Sequence, residues 1–264
     1  MASSLVLVTG ASSGIGAATA RRFGASGARV LLLARNKERL DDMASAIRRE
    51  GGTATPYPVD LSDADAIAEL CARIEREAGT PNILINNAGA GRWLSVIETA
   101  PEEALAMIAV PYLAAFNITR AFLPKMLARR SGAIACVTSP ASYVVWPNAA
   151  AYTAARHALA GFTESLRAEV RGTGLSVTLV VLGIVESPYW KHNPGSRERA
   201  PVMNPMIVPP LSPEQAAEAI FAGVEGGKRM VVKPAILRTL FLLNALAPRL
   251  VAAQLRRAVP KHTS

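Results

Sequence analysis

Cysteine is scarce: the 264 residues include two, Cys71 and Cys136, one in a helical pattern and one in a strand-like pattern. Thiols so placed read as buried and free, which suits a reducing cytoplasm. Runs of about twenty apolar residues free of charge or proline are absent, so no segment reads as a transmembrane helix. Met1-Ala2-Ser3-Ser4 leads straight into a strand-like run and leaves no room for a signal peptide. Acidic residues are missing from Lys228 onward, where eight of the 29 Lys and Arg lie. The remainder therefore carries 21 basic against 20 acidic residues and is almost neutral. That argues against a nucleic-acid-binding surface and confines the basicity to a C-terminal tail. No internal repeat, low-complexity run or linker divides the chain.

What is present alternates. Half the residues are hydrophobic, enough for a substantial core. Strand-like runs cover 5–8, 28–33, a segment reaching 59, then 81–85, 133–138, 175–182 and 229–232. Helical patterns start at Gly14 and cover 37–50, 64–78, 101–130 with an interruption at Pro111, and 149–171. Ser212-Pro213-Glu214-Gln215 opens another, with Ser at the N-cap and Pro at N1. Strands alternating with helices imply βαβ units, and apolar runs such as 28–33 imply strands buried on both faces. The expected fold is one doubly wound α/β domain over 1–234, with about seven parallel strands and helices on both faces. A proline-rich irregular segment over 187–211 reads as a lid, since loops so long are usually functional. Residues 235–264 form a basic amphipathic helical tail.

Thr9-Gly10-Ala11-Ser12-Ser13-Gly14-Ile15-Gly16 stands between a strand and a helix. Glycines there permit a tight turn and close approach of backbone to a pyrophosphate at the helix N-terminus. The end of the second strand, where an acid would mark NAD, holds Ala34 followed by Arg35. A guanidinium in that place suits the 2′-phosphate of NADP. Further on, Ser139 ends an apolar run and Tyr152 opens a helix, with Arg156 one turn later on the same face. A tyrosine beside a fixed positive charge is a candidate acid or base, because the charge favours phenolate.

On these residues, with Asp60-Leu61 and Asn86-Asn87-Ala88-Gly89, the chain over roughly 4–190 resembles the short-chain dehydrogenase/reductase family. The resemblance implies a Rossmann-type sheet, a nicotinamide cofactor, carbonyl/alcohol redox chemistry and a homodimer or homotetramer. It implies that Gly10, Ser12, Ser13, Gly14, Ile15 and Gly16 hold the pyrophosphate, with Asp60 and Leu61 flanking the adenine. Asn87, Ala88 and Gly89 would pass under the adenosine, and Gly183, Val185 and Ser187 would border the nicotinamide. Ser139 would bind the substrate oxygen and Tyr152 would move its proton. No metal ligands are assigned.

Three positions depart from the family pattern. Its lysine is Arg156, the asparagine of its long fourth helix falls on Pro111, and its Pro-Gly after the sixth strand is Leu182-Gly183. Arginine keeps the charge and can bond two ribose hydroxyls, but it does not deprotonate, so a relay through residue 156 is excluded. Pro111 offers no N–H to the Met107 carbonyl, which could then hold the relay water. The competing reading is an NADP-binding protein with weak or no redox activity.

By the same resemblance Trp93, Pro140, Ser142, Tyr143, Trp146 and the lid surround the substrate, which suggests a hydrophobic ketone, aldehyde or alcohol. Ser142 competes with Ser139 as oxygen binder, and His157 should point away from Tyr152. The tail divides at Pro248. Residues 236–246 are apolar nearly all round, and beyond them apolar residues recur at 251, 255 and 259 among arginines. Such an element either packs on protein or makes peripheral contact with an anionic membrane.

Overall fold

Leu5, Leu7, Leu31 and Leu33 face one side of a sheet while Val6, Val8, Val30 and Leu32 face the other. That two-residue alternation with both faces apolar is what a parallel sheet covered twice requires. In a computed structural model, which describes residues 4–201 and 203–258, the strands are β1 (Leu5–Thr9), β2 (Arg29–Ala34), β3 (Thr53–Pro58), β4 (Ile83–Asn86), β5 (Gly132–Thr138), β6 (Leu175–Leu182) and β7 (Met230–Lys233). They form one parallel sheet in the order β3-β2-β1-β4-β5-β6-β7. The order reverses between β1 and β4, so the chain leaves their carboxyl ends in opposite directions and opens a crevice there.

One face is covered by α1 (Gly14–Ala25), α2 (Lys37–Arg49) and α9 (Pro213–Glu225), which bury Phe23, Ile47 and Ile220. The other is covered by α3 (Ala64–Glu77), α5 (Ala114–Ala128) and α6 (Ala150–Glu169), which bury Ile74, Phe122 and Leu159. Both cysteines are buried within this second face. Burial pushes the Cys71 thiol up to about 12 and raises that of Cys136.

The expected fourth strand starts at Ile83, two residues later than its apolar run. Asn82 is used otherwise, its Oδ1 accepting from Leu5 N at 2.8 Å. The 101–130 pattern is two helices, α4 (Pro101–Ile108) and α5, joined by a π-turn over Ala109–Leu113 in which Ala114 N donates to Ala109 O. The turn contains Pro111, which has no N–H to continue the α-helical ladder. Pro101–Ala128 is long and apolar enough to cross a bilayer, yet Ile118, Phe122 and Met126 are core residues here.

The lid contains two short helices, α7 (Tyr189–His192) and α8 (Ser196–Arg199). Its ends are pinned together, Glu186 N donating to Leu211 O at 2.9 Å and Leu211 N to Ile184 O at 2.8 Å. The tail forms α10 (Leu237–Leu246) and α11 (Pro248–Ala258); Val259, the last position of its pattern, lies outside the described residues. Phe122, fully buried between α5 and the sheet, tests the second layer. Phe122→Ala should lower unfolding stability in urea by about 3–5 kcal/mol, and a loss under about 1 kcal/mol would mean that this face is loosely packed.

Candidate active site

The crevice at the carboxyl ends of the strands is a cleft of about 760 Å³. Gly10 (φ +68°) and Gly14 (φ +53°) turn the chain from β1 into α1 in the left-handed region that favours glycine. At Gly16 a Cβ would collide with the Gly10 carbonyl and lie 2.7 Å from Asn87 Nδ2. Ser13 at the N-cap makes no side-chain capping bond. The first N–H groups of α1 are therefore left to an anion, as a pyrophosphate needs. Thr9 closes the floor: its Oγ1 accepts from Asn87 N and Ala88 N, each at 2.9 Å, and donates to Ile85 O at 3.3 Å.

At the end beyond β2 the cleft is lined by Arg35, Asp60 and Leu61, the residues expected near adenosine, and also by Asn36, Arg39 and Ser62. Asn36 caps α2 by accepting from Arg39 N at 2.8 Å. Its cap brings Arg39 to the same wall as Arg35, and Arg39 Nη1 lies 3.5 Å from His192 Nε2 of the lid. The Asp60 carboxylate accepts from Ser62 N at 2.9 Å and from Ser62 Oγ at 2.7 Å. Those two bonds, and then Arg35, hold its carboxyl below the usual range. Two guanidiniums on one wall fit a phosphate better than a pair of ribose hydroxyls.

At the other end, Ser139 caps the 3₁₀ turn Pro140–Ser142, its Oγ accepting from Ala141 N at 3.2 Å. Ser142 is buried, with Oγ 2.6 Å from Thr138 Oγ1 and donating to Arg156 O at 3.0 Å. That clasp joins the end of β5 to α6, which fixes Ser139 relative to Tyr152. It also removes Ser142 as an oxygen binder. Tyr152 is buried with its ring 5.5 Å from that of Trp93, and its hydroxyl has no hydrogen-bond partner among the described residues. The Arg156 guanidinium carbon lies 4.7 Å from the Tyr152 ring centroid.

Arg156 is the unusual group. It is 6 % exposed, is in no salt bridge among the described residues, and its Nε has no partner. Its Nη2 lies where a Cβ at Gly89 would be 2.7 Å away, so the guanidinium packs directly against the Gly89 backbone. A buried charge without a carboxylate is costly unless something polar meets it. Its terminal nitrogens border the cleft, where a ligand's hydroxyls could do so.

Ser139, Tyr152, Arg156 and every residue expected from the sequence to bind cofactor border this one cleft. Trp93, Pro140 and Trp146 border it as well, but Ser142 and Tyr143 do not. Tyr143 instead stacks on Phe241 of α10, ring centroids 4.9 Å apart. At the π-turn the cleft is lined by Ala106 and Val110, not by Pro111, which is buried away from it. The wall where the family pattern calls for a polar side chain is thus apolar. His157 Nδ1 lies 3.0 Å from Thr153 O and faces a separate hollow.

Sequence reasoning missed Arg39, Tyr189 and Trp190. The Tyr189 hydroxyl donates to Gly91 O at 2.5 Å; burial first, and then Tyr152, raise its pKa well above the ordinary phenol value. Its proton is committed to a backbone carbonyl, whereas that of Tyr152 is not. The lid is strapped over the cleft by Trp93 N donating to Ser196 Oγ at 3.0 Å. Arg199 adds a bidentate pair with Glu98 at 2.6 and 2.7 Å, which with Ser95 holds the Glu98 carboxyl well below the usual range.

Known proteins share this outline. The family model described as short chain dehydrogenase matches residues 4–197. A fatty acyl-CoA reductase of Acinetobacter baylyi is 35 % identical over 229 residues, 86 % of this chain and 75 % of that protein. A metagenomic short-chain oxidoreductase solved in complex with NADP is 32 % identical, with a TM-score of 0.74 over 88 % of this chain and 96 % of that one. A short-chain dehydrogenase from Sphingobium yanoikuyae solved with NADPH shares the fold at 23 % identity, with a TM-score of 0.79 over 99 % and 98 % of the two chains.

The glycine cradle can be tested without any substrate. Gly16→Ala should raise the dissociation constant for a nicotinamide dinucleotide, read by fluorescence titration, about tenfold or more. Gly161→Ala, where a Cβ meets nothing within 4 Å, should leave it unchanged. Equal binding by both variants would remove the loop from the site.

Proposed function

The chain belongs to the short-chain dehydrogenase/reductase family, and on that premise we propose that this NAD(P)-dependent oxidoreductase uses NADP(H) to interconvert a hydrophobic ketone or aldehyde and its alcohol. The observation that carries the reading is the buried Arg156 guanidinium beside Tyr152, with no acidic partner for the one and no hydrogen-bond partner for the hydroxyl of the other among the described residues. Arg35 and Arg39 on one wall, with no acid at the end of β2, favour the 2′-phosphorylated dinucleotide.

When bound, the nicotinamide supplies or accepts the hydride. The protein's part is to place and protonate. Ser139 Oγ, held at the tip of its turn, donates to the substrate oxygen. Tyr152 Oη gives that oxygen a proton in reduction and takes it back in oxidation. Arg156 would bond the ribose hydroxyls of the dinucleotide, and its charge would stabilise negative charge that develops on the tyrosine oxygen as the proton leaves. Because guanidinium does not deprotonate, no proton passes through residue 156. Trp93, Trp146, Val110 and the lid's Tyr189 and Trp190 supply apolar and aromatic walls, which suit a hydrophobic substrate. The name of the Acinetobacter relative, a fatty acyl-CoA reductase, also points to a long hydrophobic substrate, in that case a thioester.

A second reading, dinucleotide binding with little turnover, is favoured by the apolar Val110 wall and by arginine in place of lysine. Binding does not separate the two; turnover does. A carbonyl library screened by NADPH fluorescence should yield substrates. With any of them, Tyr152→Phe should lower kcat about 10²–10⁴-fold while NADPH affinity changes less than about twofold. Undiminished turnover would take the proton transfer away from Tyr152. Arg156→Lys should turn over at a rate close to that of the parent; a large gain would mean that this site had drifted from redox work.

A further inference from the structure

α10 carries apolar residues on two opposite faces, and the protein covers one. Leu237 is buried, Leu240 and Phe241 pack partly against the body, and Asn244 Nδ2 donates to Tyr143 O at 2.9 Å. At 100° per residue the opposite face presents Leu242, Leu243 and Leu246, which are 60, 55 and 74 % exposed. Leu250, at the start of α11, extends the strip and is 69 % exposed. The inward face of α11 is used, Val251 and Leu255 being buried in the cluster that holds Trp93, Trp146 and Tyr152. The same two helices carry the exposed Arg238, Arg249, Arg256 and Arg257, and the sequence after Glu225 contains no acid.

We propose that the strip Leu242-Leu243-Leu246-Leu250, with the arginines of the same two helices, is a docking face for an anionic lipid bilayer. Leucines exposed along one side of a helix, with guanidiniums on the same elements, match the division between acyl chains and anionic headgroups. Charge decides the occupant. The chain up to residue 227 is almost neutral, whereas α10 and α11 carry Arg238, Arg249, Arg256 and Arg257 and no acidic residue. A second copy applying the same face would bring like charges together, whereas an anionic surface neutralises them. The position of α11 gives the docking a consequence. Its inner residues touch the aromatic cluster at the reaction end of the cleft, so adsorption would hold that end of the molecule near the bilayer. A membrane-dissolved substrate would then have a short path, a consequence that rests on the proposed carbonyl chemistry; the docking itself does not.

The test is co-sedimentation of the full chain with phosphatidylcholine–phosphatidylserine vesicles and with pure phosphatidylcholine vesicles. Sedimentation should need phosphatidylserine and weaken as salt rises. Arg249→Gln should weaken partitioning about fivefold, the share of one basic residue near such a surface. Leu246→Glu combined with Leu250→Glu should abolish it while dinucleotide binding, the check on folding, is retained. No sedimentation, equal sedimentation on both vesicle types, or a Leu→Glu double variant that still sediments would each overturn the proposal. So would a double variant that falls to a smaller assembly in sedimentation velocity, because the face would then be covered by another copy. Every readout is independent of turnover, so failure here and failure of the redox reading are separable.

Discussion

A guanidinium buried without a carboxylate constrains everything near it. Arg156 borders the cleft, and the charge can remain there only if the surroundings offer polar or polarizable contact. Its neighbours fit that need. The guanidinium packs against the Gly89 backbone, the Tyr152 ring offers its electron-rich face, and the open side is the cleft itself. The backbone carbonyl of the same residue is held by Ser142, which in turn is tied to Thr138. One residue thus joins β5, the loop after β4 and α6. Moving any of them would expose the charge or collide with it.

The fold and part of the site were legible in the sequence because their requirements are local. A parallel strand must be apolar on both sides, and a pyrophosphate turn needs glycine where a Cβ would strike backbone. Residues 5–16 show both. Asn87-Ala88-Gly89 was legible only through the family resemblance; Asn87 Nδ2 donates to Thr9 O at 3.0 Å. What escaped depends on contacts between distant segments. The clasp by Ser142 involves a residue 14 positions away, and Tyr189 finds its acceptor 98 positions away at Gly91. Arg39 reaches the cofactor wall because Asn36 starts α2 where it does, a detail of capping that the pattern over 37–50 did not resolve. The wall beside Pro111 was not legible because a π-turn adds a residue and rotates the helix beyond it.

The same division holds for the tail. Its pattern showed an amphipathic element broken at Pro248, and α10 and α11 meet at that proline. The pattern did not reveal that α11 lies against the aromatic cluster of the reaction site, or that Tyr143 serves as an anchor for α10 instead of a substrate wall. Periodicity tells which face of a helix is apolar, not which distant surface receives it.

The lid shows how weak interactions can suit a cleft that must open. Its ion pairs, Arg199 with Glu98 and Arg197 with Glu186, are at or near the surface, where such pairs are worth about 0–1 kcal/mol. The bond from Trp93 N to Ser196 Oγ is buried and is the member that costs most to break unpaired. The ends are different: a pair of backbone bonds around Leu211 ties them to the rim of the sheet. Such a lid is firm where it joins the body and loosely fastened across its span. Opening therefore requires breaking a few side-chain contacts without disturbing the sheet.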